Sequence, residues 1–580
     1  MTIRQQILQD HIEKTAIKLG ISQDYAFLIF GHSLFTDKSI HSFDPNDNVD
    51  GGMDKQIDAI TIQDEGDEAI IYITQIKNED TFSSNRIIHI GNGLKWIFSK
   101  PKADVDTLIN IKFKDRINDY RTIWGSYGTS NIHIKVAYIT KALTSAISDE
   151  CKQEIKSIKD TYSDGTFASF SFETIGADEL LDIISSQEKK NKKIDADIKI
   201  VYDTNKPSLI EYTSKGLKGV ICSASASEIA SVVLNDKNGY VFDLNIRRYL
   251  GKLGGVNKDI LSTCTEKDIS NLFWFLNNGV TIVCDKIDPV KDPDNPLIKI
   301  KNLQIVNGCQ TATSLALAFG DGTLQPDTKL LLRIYETNNL DLVDKIVLTT
   351  NNQNKISGRN LRANDKFQID LEAGFKLYNY SFERKPRQFD SSAIPKDLIV
   401  PNEDVAVSYL GIVLCKSSDA RSRKYKVWNE YYTKIFTGGI TEPYLLSALI
   451  HRKVNRYLLS NFASETDNTK RYLSKNASFH ISRITSFLWR KVDKWADIAD
   501  LKKSIMEITK KPESLNLLID NAMNILNGII VANPKYINDL NSALKSADLD
   551  AEINRILYTS HKPKKTKAKT APKKKAKAKK

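Results

Sequence analysis

An acid, an amide and a lysine stand on two adjacent runs of alternating residues near the start of the chain. In the first run Asp58 shares one face with two isoleucines, and in the second Gln75 and Lys77 continue a face of isoleucines. A polar segment around Gly66 separates the two runs, which predicts a β-hairpin. The midpoint of this hairpin sets Asp58 opposite roughly residues 73–75. The hairpin therefore brings Asp58, Gln75 and Lys77 together.

This trio suits metal-dependent hydrolysis of phosphodiester bonds. The Asp58 carboxylate, the Gln75 side-chain carbonyl and a backbone carbonyl near Ile76 are hard oxygen ligands of the kind that Mg²⁺ prefers. Lys77 would orient the attacking water or help to deprotonate it. The alternative interpretation is a solvated hairpin with an acidic turn, since aspartate and lysine are both common on strands.

The stretch Gly51-Gly52-x-Asp54-x-x-Ile57-Asp58, followed by Gln75-Ile76-Lys77, resembles the PD-(D/E)XK nuclease superfamily and most of all its Mrr-type restriction endonucleases. The resemblance implies an N-terminal αβα domain and a Mg²⁺-dependent endonuclease, with DNA favoured over RNA. It also implies that an acid from the first helix joins the metal site. Glu13 is the candidate, and an exposed helix residue is the alternative for it. Gln75 supplies no charge, so a nuclease fold that has lost its activity stays open.

Length and composition bound the class of protein. A chain of 580 residues is too long for one hydrophobic core and predicts about three or four domains. No apolar run approaches about 20 residues, and the N-terminus lacks the apolar core of a signal peptide, so we expect a cytoplasmic protein. The six cysteines form no C-x-x-C pair, which argues against a zinc site and a disulfide framework.

The net charge of +12 is concentrated at the C-terminus. From Lys562 to Lys580 there are 11 lysines and no acidic residue, so the rest of the chain is close to neutral. Such a segment repels itself and cannot bury apolar surface, which predicts a disordered tail whose binding to nucleic acid weakens steeply with salt. A solubilising end, a nuclear-localisation signal and an anionic-membrane contact are the alternatives. The predicted nucleic-acid contacts are Lys564, Lys565, Lys573, Lys574 and Lys575.

A series of motifs follows the charged linker near residue 186. In chain order the motifs are Asp243–Arg247, Tyr249–Gly251, Phe273–Ile282, Gln304–Thr311, Asn352–Asn354 and Phe382–Lys385. This series resembles the AIPR family, the abortive infection phage resistance proteins, over roughly residues 198–389. The resemblance implies a role in bacterial defence against phages, and we expect this region to sense a trigger or to gate the N-terminal domain.

Two of these motifs can be interpreted from their residues alone. Asn277-Asn278-Gly279 lies between two apolar runs, which predicts a hairpin, with a turn and nothing else as the favoured alternative. Ile305–Thr311 predicts a buried strand, a glycine turn and a helix start, whose backbone amides could hold the phosphate of a nucleotide. A structural helix cap with a buried asparagine is the alternative. The residues of this candidate phosphate loop are Asn307, Gly308, Gln310 and Thr311, and Asn245 and Arg247 could converge on the same place.

From about residue 395 the spacing of apolar residues becomes helical. In this region Tyr425 and Trp428, which stand near basic residues, could stack on nucleic-acid bases, with ordinary surface charge as the alternative. The predicted fold class is α/β, in the sense of a multidomain α+β protein. Its parts are a restriction-endonuclease-like αβα domain (1–186), a mixed α/β AIPR-like domain (187–394), a helical C-terminal region (395–560) and a disordered basic tail (561–580).

The hypothesis that unites these features is a Mg²⁺-dependent nuclease in anti-phage defence. Asp58 and Gln75 would hold the metal, and Lys77 would assist the water. One rival is an inactive nucleic-acid-binding protein, and a second is a switch controlled by a nucleotide at Asn307–Thr311. A homodimer would suit an enzyme that cuts both strands of DNA, although no residue in the sequence indicates it.

Overall fold

The structure is a computed structural model of the chain. It describes residues 2–559 apart from positions 53, 192, 206–207, 216, 238, 246–254, 352–357, 387, 390–391, 463 and 492–494. The described part combines many helices with several sheets, which confirms the predicted mixed α/β class. It divides into two compact units, one of residues 1–399 with 438–440, and one of residues 400–437 with the chain from 441 onward.

The first sheet has four strands and contains the N-terminal hairpin. The strands are β1 (Ala59–Asp64), β2 (Ala69–Lys77), β3 (Ile132–Thr140) and β4 (Ser169–Ile175), in the spatial order β1-β2-β3-β4. β1 and β2 are antiparallel, with Ala59 opposite Thr74, whereas β2, β3 and β4 run parallel. The alternation of residues therefore predicted the hairpin and its approximate register.

Helices cover both faces of this sheet. They are α1 (Ile3–Leu19), α2 (Gln23–Phe35), α3 (Ser84–Phe98), α4 (Lys102–Asp106), α5 (Ile111–Tyr127), α6 (Asp149–Tyr162) and α7 (Ala177–Asn191). On one face Ile60 and Ile73 join a core with residues of α3, α5 and α6. On the other face Ile76 and Ile139 pack with residues of α1, α2 and α7. The sheet thus lies between two layers of helices, each sealed by apolar burial.

The second sheet has eight strands. They are β5 (Ala196–Val201), β6 (Leu209–Ser214), β7 (Leu217–Ser225), β8 (Val280–Cys284), β9 (Lys286–Val290), β10 (Leu297–Lys301), β11 (Gln304–Asn307) and β12 (Lys329–Glu336). The order is β11-β8-β12-β7-β5-β10-β9, with β6 paired to β7. Two short strands follow, β13 (Ser381–Glu383) and β14 (Ile399–Pro401).

One face of the second sheet carries most of its apolar residues. The helices of this part are α8 (Ala226–Asn235), α9 (Gly255–Thr265), α10 (Phe273–Leu276), α11 (Cys309–Gly320), α12 (Leu340–Asn351), α13 (Gly358–Leu361) and α14 (Lys366–Lys376). Alternate strand residues such as Val220 and Leu332 form a core with α8, α9 and α11. On the other face, α12 packs on β8 and β11 through Val343 and Val347.

The hairpin predicted around Asn277-Asn278-Gly279 is wrong. Phe273–Leu276 forms a single helical turn, in which Phe273 is buried and the next three side chains are exposed. The Asn277 side chain accepts a hydrogen bond from the Gly279 N–H (3.0 Å) and ends this turn. The strand that follows, β8, pairs with β11 and β12, because a fully buried strand needs partners on both sides.

The remaining unit is helical. Its elements are α15 (Asn402–Ser408), a π-helical turn (Tyr409–Val413), α16 (Ser417–Ser422), α17 (Tyr432–Ile435), α18 (Glu442–Asn461), α19 (Asn468–Asn476), α20 (Ser478–Arg490), α21 (Ile498–Lys510), α22 (Asn516–Val531), α23 (Pro534–Asn538), α24 (Leu540–Ala543) and α25 (Ala547–Thr559). Among the described residues, only Pro512–Val531 is long and apolar enough to cross a membrane. Its residues Ile519, Met523 and Leu526 are buried within the helical unit.

Substituting alanine for Gly279 is expected to destabilise the second sheet. Gly279 has a φ of +75°, and an added Cβ would lie 2.3 Å from the Leu331 backbone oxygen in β12. The left-handed backbone costs about 1–2 kcal/mol for alanine, and the clash adds to that cost. Gly322→Ala is the matched control, since Gly322 has a φ of +69° but open space around it. Urea unfolding should give a lower midpoint for Gly279→Ala, and equal midpoints for the two variants would contradict this packing.

Candidate active site

Asp58 lies directly before β1 and is built into the hairpin by its backbone. Its N–H donates to the Thr74 carbonyl (2.8 Å), and its own carbonyl accepts from the N–H groups of Val49 (2.9 Å) and Asp50 (3.1 Å). Because Ala59 is opposite Thr74, Asp58 stands opposite Gln75. The side chain of Asp58 is 1% exposed. A buried carboxylate is thereby fixed at the end of a sheet pair.

The structure brings the three predicted residues together around this carboxylate. Gln75 Nε2 donates to Asp58 Oδ2 (2.7 Å), and the half-buried Lys77 Nζ donates to Asp58 Oδ1 (3.1 Å). The backbone N–H of Ile76 also donates to Oδ2 (2.6 Å). The backbone group of Ile76 that contacts Asp58 is thus an N–H donor, whereas the sequence predicted a backbone carbonyl ligand near this residue.

Burial dominates the electrostatics of Asp58. Removal from water raises the pKa of its carboxyl from 3.8 to about 6. The positive charge of Lys77 and the hydrogen bond from Ile76 lower the pKa, and the nearby charge of Asp50 raises it further. For the Asp58 carboxylate, the cost of burial therefore outweighs the stabilisation by Lys77 and Ile76.

Two further aspartates share this place. Carboxylate oxygens of Asp50, Asp54 and Asp58 all lie within 4.8 Å of one another. Sequence reasoning included Asp54 only in the resemblance to Mrr-type nucleases and did not assign Asp50 or Asp54 as ligands. The signal that could have found them is an aspartate at every fourth position, 50, 54 and 58, leading into a strand.

The loop that carries these aspartates is held by local hydrogen bonds and by a close helix contact. Asp54 accepts from the N–H of Gln56 (2.8 Å) and of Gly51 (3.3 Å). Lys55 and Gln56 both have positive φ, so the chain turns back sharply there. On α3, a Cβ at Gly93 would lie 2.7 Å from the Lys55 carbonyl oxygen, so glycine permits the loop to pack against the helix.

The donor set at this place fits Mg²⁺. Gln75 is fully buried, and its Oε1 has no hydrogen-bond partner among the described residues. A rotation of the Gln75 amide would turn Oε1 toward Asp58, where a cation between the two oxygens would offset their repulsion. Three carboxylates and one amide oxygen form a set of hard ligands, which Mg²⁺ or Mn²⁺ prefers. A cation would also relieve the repulsion among the aspartates.

A polar network that the sequence did not reveal braces the opposite face of the hairpin. His32 of α2 contacts the hydroxyls of Thr74 (Nδ1, 2.8 Å) and Thr61 (Nε2, 2.7 Å), and the Thr61 hydroxyl donates to Asp47 (2.5 Å). Burial lowers the pKa of His32 to about 3, so the imidazole is neutral. Arg116 of α5 pairs with Asp47. Two threonines on one face of otherwise apolar strands were the available signal.

The remaining nuclease candidate lies elsewhere on the surface. Glu13 is an exposed residue of α1 and accepts a hydrogen bond from Gln9 (2.9 Å). Just beyond β2, Arg86 of α3 pairs with Glu79 and contacts Gln56 (3.4 Å), the second residue of the turn after Asp54. Arg86 is therefore a cation beside the aspartate loop.

The candidate phosphate loop is a tightly packed strand–turn–helix junction. Asn307 ends β11 and donates to the Thr350 carbonyl (2.6 Å), and Gln310 lies in the first turn of α11. The Thr311 hydroxyl donates to Asn277 Oδ1 (3.2 Å). Gly308 has a φ of +89°, and a Cβ there would lie 2.7 Å from the Gly279 carbonyl oxygen. Side chains of the candidate phosphate loop thus make internal contacts, and phosphate binding by its backbone amides stays a prediction.

These contacts join three of the sequence motifs. Asn277–Gly279 and Asn307–Thr311 meet through the Thr311 hydroxyl and the Gly308 backbone, and Asn245 donates to the Ile305 carbonyl (3.1 Å) beside them. Arg247, the motif at 352–354 and the lysines of the tail lie outside the described residues. A family model described as AIPR protein matches residues 242–534. The chain belongs to the AIPR family.

Membership of the AIPR family indicates a role in abortive infection, a defence against phages. The match begins later than the expected residue 198 and continues past residue 389 through most of the helical region. The Asp58 cluster lies before the matched AIPR residues. No curated protein and no solved structure matches the chain.

Asp58→Asn is expected to remove a pH-dependent cost from the metal-free AIPR protein. The pKa of the Asp58 carboxyl is about 6 in the folded protein and near 3.8 in the unfolded chain, so ionisation opposes folding. The cost is absent below about pH 4, grows as pH rises toward 6 and is complete above it, at most about 3 kcal/mol.

The measurement is the free energy of unfolding in EDTA between pH 4 and 8. Asp58→Asn should gain stability relative to the wild type as pH rises through this window. Asp115→Asn, at an exposed position of α5, serves as the control. A difference between Asp58→Asn and wild type that is constant over the whole range would contradict the raised pKa.

Proposed function

We propose that this AIPR protein is a Mg²⁺-dependent nuclease that hydrolyses phosphodiester bonds of nucleic acid, with DNA favoured over RNA. The observation that carries the proposal is the buried Asp58 carboxylate, which contacts Gln75 and Lys77 and lies within 4.8 Å of two more carboxylates. A buried carboxylate beside two further like charges opposes folding, which favours a bound cation as the purpose of the cluster.

In this proposal the aspartates hold the metal and Lys77 serves the nucleophile. Asp58, Asp54, Asp50 and the Gln75 carbonyl would be the ligands. Bound Mg²⁺ supplies a Lewis acid for the phosphate and lowers the pKa of a bound water. The ammonium of Lys77 is partly exposed beside Asp58, where it would orient the attacking water. Arg86, next to the aspartate loop, would pair with a phosphate of the substrate.

The neutral Gln75 bears on whether the site is active. An acid at this position would add one negative charge to the ligand set, and Gln75 does not supply it. Asp50 and Asp54 offer that charge from the loop instead, and this compensation supports an active enzyme over an inactive one. The proposal also assigns gating to the AIPR-matched region and a general affinity for nucleic acid to the lysine tail. A cytoplasmic location, and a homodimer for double-strand cutting, belong to the same proposal.

The direct test is cleavage of duplex DNA, single-stranded DNA and RNA by the purified protein with Mg²⁺. Asp58→Ala and Lys77→Ala should each reduce the cleavage rate by about 100-fold or more, since one removes a ligand and the other the group that positions the water. Gln75→Glu, which adds the missing charge, should retain cleavage. Asp115→Asn is the control for an exposed carboxylate. Equal cleavage by the wild type, Asp58→Ala and Lys77→Ala would overturn the assignment.

Calorimetry separates the nuclease from an inactive nucleic-acid-binding protein, the rival that the neutral Gln75 favours. The wild type should bind Mg²⁺ or Mn²⁺, and Asp58→Ala should abolish binding. Asp50→Asn and Asp54→Asn should each weaken it, because each removes one anionic ligand. Metal binding that is unchanged in all three variants would contradict the cluster. A wild-type protein that binds duplex DNA but no metal, and that does not cleave the DNA, would be the inactive nucleic-acid-binding protein.

A further inference from the structure

The second sheet presents a partly exposed face of mixed aromatic and basic character. The face opposite α8, α9 and α11 carries alternate residues of β5, β6, β7 and β12. Pairing fixes these residues in rows across the strands. Tyr335 is opposite Gly219, which is opposite Tyr212, and Arg333 is opposite Ile221, which is opposite Ile210.

The tyrosine row is shaped for a flat ligand. Gly219 has no side chain, and a Cβ at that position would lie 3.3 Å from the ring of Tyr335. The Tyr335 ring therefore lies across the glycine, between its own strand and the strand of Tyr212. Tyr212 is 71% exposed. Most of the surface of the Tyr212 ring stays in contact with water, so this ring is available to stack on a ligand.

A second aromatic pair lies at the neighbouring end of the face. Trp274 of α10 donates its Nε1–H to the Ser223 hydroxyl (3.0 Å), two residues along β7 from Ile221. Phe275 is packed edge-on against it, with ring centroids 5.1 Å apart. Trp274 is 37% exposed and Phe275 74% exposed. The helical turn that replaced the predicted hairpin is what projects these rings.

Positive charge is placed in the same rows. Arg333 lies between the two aromatic pairs and is oriented by donating to the Asn278 carbonyl (2.9 Å). Lys329 is opposite Ser225, and Lys199 stands two residues before Val201, which is opposite Ser223. Three cations thus face the same side over about 13 Å of strand. The acids of this side, Asp197 and Asp288, both stand opposite Lys299, away from the tyrosine row.

From this arrangement we infer that the face formed by Tyr212, Tyr335, Trp274, Phe275 and Arg333 binds single-stranded nucleic acid. Bases stack on exposed aromatic rings without regard to sequence, and arginine and lysine pair with the phosphates between them. In a duplex the bases stack on one another and cannot reach the rings, so a single strand fits this face and a duplex does not. The site is separate from the Asp58 cluster and stands without the proposed nuclease activity.

The experiment is fluorescence anisotropy with the full-length protein and labelled oligonucleotides of about 15 nucleotides. EDTA is present throughout, so that cleavage does not contribute and a failed nuclease proposal leaves the result interpretable. Salt near 0.3 M weakens contacts of the lysine tail. The strands are oligothymidylate, the matching RNA, an abasic strand of the same length and a DNA duplex.

Wild-type protein should bind base-containing single strands more tightly than the abasic strand or the duplex. Tyr212→Ala and Phe275→Ala should each weaken binding of the preferred single strand by about fivefold or more, the loss expected for one stacked base. Neither should change binding of the abasic strand. Tyr212→Phe keeps the ring and should restore affinity. The control is Tyr558→Ala, which removes an exposed tyrosine of α25 in the helical unit.

The comparison of DNA with RNA assigns the kind of strand, and preference for either one supports the inference. Equal affinity of the wild type for the base-containing and abasic strands would overturn it, and so would a duplex that binds as tightly as a single strand. Unchanged binding in both Tyr212→Ala and Phe275→Ala, or an equal loss in Tyr558→Ala, would also remove the assignment to this face.

Discussion

The Asp58 carboxylate accepts hydrogen bonds from the Ile76 backbone and from the side chains of Gln75 and Lys77, while the Asp58 backbone is paired to Thr74. The hydrogen bonds that stabilise the charge of Asp58 therefore depend on the register between β1 and β2. A slip of one residue would turn the aspartate to the other face of the sheet, where His32 bridges two threonines. The aspartate loop, the packing of α3 against it and the candidate chemistry all require this one register.

Much of this arrangement was accessible from the sequence because strand alternation has a short period. Asp58, Gln75 and Lys77 could be assigned to one face by counting along two strands. For Asp50 and Asp54 the sequence offers only their four-residue spacing from Asp58. Their approach to Asp58 depends on two consecutive residues with positive φ and on a glycine in a helix more than 30 residues away. The backbone angles that make a loop turn back sharply cannot be predicted from the residue types of that loop.

The middle of the chain shows where local signals fail. Asn277-Asn278-Gly279 carries a strong turn signal, but the apolar run before it became a helical turn and the strand after it joined partners encoded later in the chain. The motif series identified the family correctly, yet it ended where the helical region begins, because helical stripes of leucine and isoleucine occur in many proteins. The residues that define how these helices pack are spread over many common apolar positions, so no short motif identifies the family there.

The close approach of Gly308 to the Gly279 backbone has a consequence for the evolution of these proteins. The two glycines stand in different motifs, and a side chain at Gly308 would displace the turn that places Asn277, which in turn holds Thr311. Substitutions in one motif therefore constrain which substitutions the other motif tolerates. Divergent relatives are expected to retain or exchange the two turns as a pair, so the pair would identify distant members better than either motif alone.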